Sequence, residues 1–318
     1  AGGCLTEADL AAHTSTWEEP ISIVYNGRRL WECPPNGQGL ATLLALNLLE
    51  CFDLADTAPL STERLHLTIE AMRLSFADTR RYVADPAFAP APLAALLSKE
   101  YAKERSRLIN PSFANQDLKH GSPLASSDTV YFSVVDSDGN ACSFINSNYM
   151  GFGTGIVPEG CGFPLQNRGH NFSLDPSSPN VLAPGKRPYH TIIPAIATHA
   201  ESGELFASFG VMGGFMQPQG HLQVFLSMLV DGDDPQQALE RPRFCIEPDS
   251  TTSQVSLEEG IPAQVLDELE DLGHQVTPVR GMGRSLFGRG QIILRDSATG
   301  VLTGGSDPRA DGLAMGLV

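Results

Sequence analysis

Residues 126–141, SSDTVYFSVVDSDGNA, decide the fold. A polar run, GSPLASSD (121–128), gives way at Thr129 to the alternating apolar stretch TVYFSVV. DSDGN then supplies an Asp-Gly step that tolerates φ > 0, and ACSFINS returns. The period-two alternation on both sides of the turn predicts a β-hairpin that Thr129 opens and Ser147 closes. A backbone break between Asp128 and Thr129 would leave a threonine with a free α-amine at a strand's first position. Such a residue is nucleophile and base together, because its hydroxyl attacks a carbonyl carbon while its α-amine, which titrates near neutrality, takes the proton. Taken alone, Thr129 is a β-branched residue that starts a strand, and only its neighbours argue otherwise.

Those neighbours are rich in glycine. GFGTGIVPEGCGFPLQNRGHNFSLD (151–175), PGKRPYHTIIP (184–194) and FGVMGGFMQPQG (209–220) set small residues and short polar side chains where a backbone must approach a ligand. In this order behind a hairpin-opening threonine, they resemble the gamma-glutamyltransferase family of N-terminal-nucleophile hydrolases, whose precursors cut themselves before a threonine to give two subunits. The family pattern is met by Thr129, VVD at 134–136, DGNA at 138–141, FGTG at 152–155 and Gly213-Gly214. Residues 5–39 and 70–86 resemble the end of the large subunit, and residues 129–318 a small subunit ending in FGRGQIILRDSATGVLTGGSDPRADG. The resemblance implies a four-layer α-β-β-α sandwich with two stacked antiparallel sheets. It divides the chain into 1–128, the C-terminal part of the large subunit, and 129–318, the catalytic small subunit, together one globular domain.

Composition sets limits. With 318 residues, 42% of them hydrophobic, the chain can bury a sizeable core. A net charge of −16 argues against nucleic acid or an anionic membrane as partner, since phosphates would be repelled. The longest apolar run, LATLLALNLLECF (40–52), is too short to span a bilayer and reads as a buried helix. AGGCLTEADL has no initiating Met and no basic region before an apolar core, so it does not read as a signal peptide. It reads as an internal start, and the resemblance implies a further large-subunit segment carrying a carboxylate-binding arginine. A cytoplasmic location is the expectation, or a periplasmic or secreted one if a leader lies upstream. The six cysteines show no ligand spacing and are expected to be scattered buried thiols; the eight histidines form no HExxH or HxxxH pair, so no metal or other cofactor is implied.

Helical periodicity covers 38–53, 62–84, 97–109, 219–230, 235–242 and 261–273, with Ser61 and Thr62 as caps and Pro86 as a stop. Short β-rich runs fall at 129–136, 141–147, 191–198, 204–210, 253–257 and 290–295. Residues 110–128, rich in Ser, Asn, Gly and Pro, are the expected site of cutting. Helices flanking antiparallel strands predict α layers on sheet layers, a mixed α/β (α+β) fold.

By motif position, the resemblance implies that Gly213 and Gly214 offer backbone N–H groups to the oxyanion and that Ser147 hydrogen-bonds the nucleophile. Around them the chain departs from the family. Tyr149 stands where gamma-glutamyl enzymes have an Asn, Asn171 replaces the Asp that binds the α-ammonium, and Arg168 replaces a Gln. His190 and Thr191 stand in place of two carboxylate-binding serines. The pocket thus loses a negative charge and gains a positive one, which weakens binding of a zwitterionic glutamyl head and favours a purely anionic acyl group. The LQNRG and PGKRPYHT motifs resemble a side branch that includes oxamate amidohydrolase and glutaryl-type cephalosporin acylases. The expectation is a self-cleaving amidase that hydrolyses or transfers the acyl group of a small-molecule gamma-glutamyl amide, as glutathione hydrolases do. The alternative is an amidohydrolase for a small anionic amide such as oxamate or a glutaryl amide. The expected assembly is a heterodimer of the two pieces, or a pair of heterodimers. An uncut chain would instead be an inactive interaction module.

Overall fold

Residues 21–32, ISIVYNGRRLWE, alternate in burial and fold into a hairpin of β1 (Ile21–Tyr25) and β2 (Arg28–Glu32). Its two-residue turn is Asn26-Gly27, with φ of 44° and 73°, the left-handed pair that tight hairpins need. The computed structural model describes residues 2–115, 127–246 and 253–317. Before β1 lies α1 (Glu7–Ala12), and after β2 come α2 (Gly39–Leu49), α3 (Thr62–Tyr82), α4 (Leu93–Leu96) and α5 (Lys99–Ser106). The expected hairpin is β3 (Ser127–Val135) and β4 (Ala141–Met150), followed by β5 (Ala195–His199), β6 (Leu205–Met212), α6 (Met216–Leu229) and α7 (Pro235–Glu240). The remainder is β7 (Phe244–Cys245), β8 (Gln254–Glu258), α8 (Ala263–Asp271), β9 (Gln275–Val279), β10 (Arg289–Arg295) and β11 (Leu302–Ser306).

Six strands form one antiparallel sheet in the order β1-β2-β5-β6-β10-β11, so residues from both sides of Thr129 share it. β6 divides its side chains by parity. Phe209 and Val211 face the helices, where Phe209 stacks on Phe225 and a Cβ on Gly220 would meet Val211 at 2.6 Å. Ser208 and Gly210 face the hairpin: Ser208 Oγ lies 2.5 Å from Ser133 Oγ, and a Cβ on Gly210 would stand 2.4 Å from the Tyr131 ring. The β3–β4 hairpin is therefore a second sheet stacked on β6 and β10, with α2, α3 and α6 on the opposite face. Residues of α2 are buried all round its axis, as its run of Leu and Ala requires. Ser61 caps α3 by accepting from Arg64 N at 3.2 Å, and the helix ends at Tyr82, before Pro86.

Two buried polar clusters tie the layers together. Glu32 Oε1 and His221 Nδ1 lie 2.8 Å apart between β2 and α6, both fully enclosed. At the C-terminal motif, Asp307 pairs with Arg243 at 2.8 Å and Arg309 at 3.0 Å, while Arg309 also binds Glu258 at 2.5 Å.

Several expectations shift. The strand expected over 191–198 begins only at Ala195, because His190 N–H donates to Asn36 O and His190 O accepts from Gln38 N. The cysteines are free, but only Cys245 is buried; Cys4, Cys51, Cys142 and Cys161 are exposed, Cys142 on the outer side of β4. Of the expected cutting loop, residues 116–126 lie outside the described residues. Among the described residues no helix is long and apolar enough to cross a membrane.

Candidate active site

The stacking of the two sheets sets the level of Thr129. Ser133 meets Ser208 and Tyr131 meets Gly210, so each two-residue step along β3 matches one along β6 in the opposite direction. Thr129, buried at 2% exposure, lies one such step before Tyr131, and the Gly213-Gly214 turn directly follows Met212 at the end of β6. Thr129 is the third residue of β3 rather than its first, and the register shifts there: Asp128 pairs with Tyr149, but Thr129 with Ser147. A β-bulge thus sits on the peptide bond expected to break.

Thr129 Oγ1 donates to Ser147 Oγ at 2.9 Å, and Ser147 Oγ also accepts from Tyr149 N at 2.8 Å. Tyr149 reaches this geometry at φ 76°, which costs a non-glycine residue free energy and is sustained by its packing. On the other side, Gly213 (φ 136°) and Gly214 (φ 62°) form the tight entry to α6. Gly213 O accepts from Met216 N at 3.0 Å, which points the carbonyl into the helix and the trans-related N–H of Gly214 the opposite way.

The loop bearing Arg168 is stitched to the end of β4. Gln166 Nε2 donates to Ser147 O at 2.8 Å, and Asn167 Oδ1 accepts from Met150 N at 3.1 Å. Gly153 lets the FGTG turn approach, since a Cβ there would lie 2.2 Å from Leu165 O. Arg168 is 4% exposed, with its guanidinium carbon 4.5 Å from the centre of the Tyr149 ring. Its Nη1 donates to Thr191 Oγ1, whereas its Nε and Nη2 are buried with no partner among the described residues. Burial pushes Arg168 down to about 10, so it stays cationic at neutral pH. Burial, then the Arg168 charge, pushes His190 down to about 3 and keeps that imidazole neutral. His190 also lines a cavity of about 690 Å³ with Trp31, Cys33 and Ile196, on the face of β2 and β5 beside the hairpin. Asn171 Nδ2 donates to Tyr189 O at 2.9 Å, just before His190 and Thr191 in the chain.

Thr129, Ser147, Tyr149, Arg168 and Thr191 are thus joined by direct contacts, Gly213-Gly214 follows the strand β6 on which the hairpin packs, and His190 flanks Arg168. The sequence reading missed Gln38, which contacts both Thr191 and Gly214. Its signal was the glycine-rich NGQG stretch, which by itself assigns no role.

A family model described as gamma-glutamyltranspeptidase matches residues 1–317. The chain belongs to that family. Among its relatives, the glutathione hydrolase-like YwrD proenzyme of Bacillus subtilis is 38% identical over 99% of this chain and 59% of its own length. The oxamate amidohydrolase proenzyme of Klebsiella pneumoniae is 32% identical over 98% of this chain and 58% of its own. The crystal structure of cephalosporin acylase from Bacillus halodurans matches with a TM-score of 0.87 and 46% identity, over 98% of this chain and 55% of that one. The chain spans a little over half the length of these family members. Its antiparallel sheets and helix layer are those of an N-terminal-nucleophile hydrolase fold.

Proposed function

We propose that the protein is an autoprocessing amidase whose nucleophile is Thr129 and whose preferred acyl group carries a free carboxylate without needing an α-ammonium. The observation that carries the choice is Arg168: a buried guanidinium whose Nε and Nη2 have no partner among the described residues suits an anion, and a carboxylate matches that fork with two parallel hydrogen bonds.

In the proposed reaction, the Asp128–Thr129 peptide bond is hydrolysed first: the oxygen of water completes a carboxylate on Asp128 and a proton from it completes the free α-amine of Thr129. Thr129 Oγ then attacks the substrate's amide carbonyl while the α-amine accepts the hydroxyl proton. The N–H groups at Gly213 and Gly214 take the charge that develops on the carbonyl oxygen, and Ser147 holds the threonine side chain in line. The leaving amine departs with the proton, leaving an ester on Thr129. Water, with the α-amine as base, releases the acid. Arg168 and Thr191 hold the acyl carboxylate, and Tyr149 forms the floor beneath the guanidinium.

Gamma-glutamyl transfer or glutathione hydrolysis is the second reading, favoured by the 38% identity to a glutathione hydrolase-like proenzyme. A gamma-glutamyl group also carries a carboxylate, but its ammonium needs an acceptor, and Asn171, whose Nδ2 donates to Tyr189 O, offers only a neutral amide oxygen in place of a carboxylate. Intact mass and N-terminal sequencing of the complete protein, beside Thr129→Ala, test the common core: a fragment starting at Thr129 should form in the wild type alone. Turnover of oxamate, glutaryl and gamma-glutamyl amides then separates the readings. Higher kcat/KM on the amides without ammonium is expected; a gamma-glutamyl preference would reverse the choice.

A further inference from the structure

Gln38 lies between β2 and α2, fully buried, and uses both hydrogens of its side-chain amide on main-chain carbonyls across the fold. Nε2 donates to Thr191 O at 2.7 Å and to Gly214 O at 2.8 Å. Its backbone is anchored in the same place, with Gln38 N donating to His190 O at 3.0 Å. A residue that precedes Thr129 therefore grips two segments that follow it. One bears Thr191, whose hydroxyl takes the Arg168 hydrogen bond; the other is the Gly213-Gly214 turn. Glycines at φ 136° and 62° have no side chains to hold their peptide planes, so the planes are set from outside. Gly214 O accepts a second bond from Gln217 N, but at 3.2 Å it is the longer of the two.

We propose that Gln38 is a positioning residue for the reaction: it fixes the Gly213-Gly214 turn against the arm that binds the acyl carboxylate, and so sets the distance between the two ends of the bound acyl group. This rests on the reading of Thr129 and the glycine turn given above. It also means that the geometry of the oxyanion site on the piece beginning at Thr129 depends on a side chain of the piece that precedes it.

The decisive variant is Gln38→Met in the complete protein, which keeps the length and removes both donors. With rates referred to the fraction of chains bearing a free Thr129 N-terminus, loss of folded or self-cleaved protein does not enter kcat. The expected result is a fall in kcat of about 10- to 100-fold with a smaller change in KM, as for displaced groups that do not touch substrate. Gln38→Glu adds a readout that a purely structural role would not move. As its buried carboxyl becomes protonated it regains one donor, so the ratio of its kcat to the wild-type kcat should rise as pH falls. An unchanged kcat in Gln38→Met, a loss confined to KM, or a flat ratio for Gln38→Glu overturns the proposal. A wild type that hydrolyses none of the amides defeats the site reading itself; an active wild type with an unaffected Gln38→Met defeats this inference alone.

Discussion

Charge without a partner is the informative state of a buried side chain. Among the described residues Arg168 has one hydrogen bond, to Thr191, and leaves two nitrogens without a partner in an enclosed site. Arg168→Met should therefore raise KM for carboxylate-bearing amides by about 10- to 100-fold, the value of a hydrogen bond to a charged group, with kcat less affected. Arg168→Lys should not restore it, because a point charge cannot offer the planar fork. Initial rates against substrate concentration for both variants check this, and an unchanged KM in Arg168→Met would remove the anion pocket from the account. Residue identity at 168, 171, 190 and 191 was open to view in the sequence, as was the charge change it brings. The enclosure of Arg168 was not, since burial depends on how the loops at 153 and 165 close over each other.

At the scale of elements, the contact between the two sheets is the most demanding feature. A methyl group at position 210 would enter the Tyr131 ring, so the hairpin stands as close to β6 as backbone allows. Gly210→Ala should cost about 1–3 kcal/mol as an overpacked interior, read as a lowered thermal midpoint. It should also lower activity, because lifting the hairpin moves Thr129 away from the glycine turn. Full activity in Gly210→Ala would show that the spacing of the sheets does not set the site. The hairpin could be read from the sequence because period-two alternation and Asp-Gly are local signals. β1 and β2 carried a comparable signal in Asn26-Gly27, yet lay in a stretch read only for its family likeness. The short β9 and β11 gave the period-two pattern too few residues to act on, and the start of β5 is displaced by His190's bonds to the distant Asn36 and Gln38. Gln38 escaped for the same reason: both of its acceptors lie more than 150 residues away.

Across the whole molecule, buried histidines make stability depend on pH. His66 Nε2–H donates to Asn110 O at 2.8 Å, so its bare Nδ1 accepts from His274 Nε2–H, also at 2.8 Å. His274 Nδ1 is left buried and unprotonated, without a partner among the described residues. Burial, then Arg73 and His66, pushes His274 down to about 3. In the unfolded chain a histidine takes its proton near 6.5, roughly the ordinary value. Between these limits the unfolded state binds more protons, so stability should fall as pH drops from about 6.5 towards 3 and level off below. His190 acts in the same direction. Thermal midpoints measured over that range should show the slope, and His274→Gln should flatten it; an equal slope in both would assign the acid sensitivity elsewhere.

The pairing of β2 with β5 runs between residues on opposite sides of Thr129, as do the grips of Glu32 on His221 and of Gln38 on Gly214. A chain severed before these contacts form would have to find its other half by diffusion, whereas a chain severed afterwards holds it at a very high effective concentration. Order in time would then follow from order in space: a molecule cut before Thr129, as proposed, has to be finished as an object before it is divided as a polymer, and the division would separate nothing.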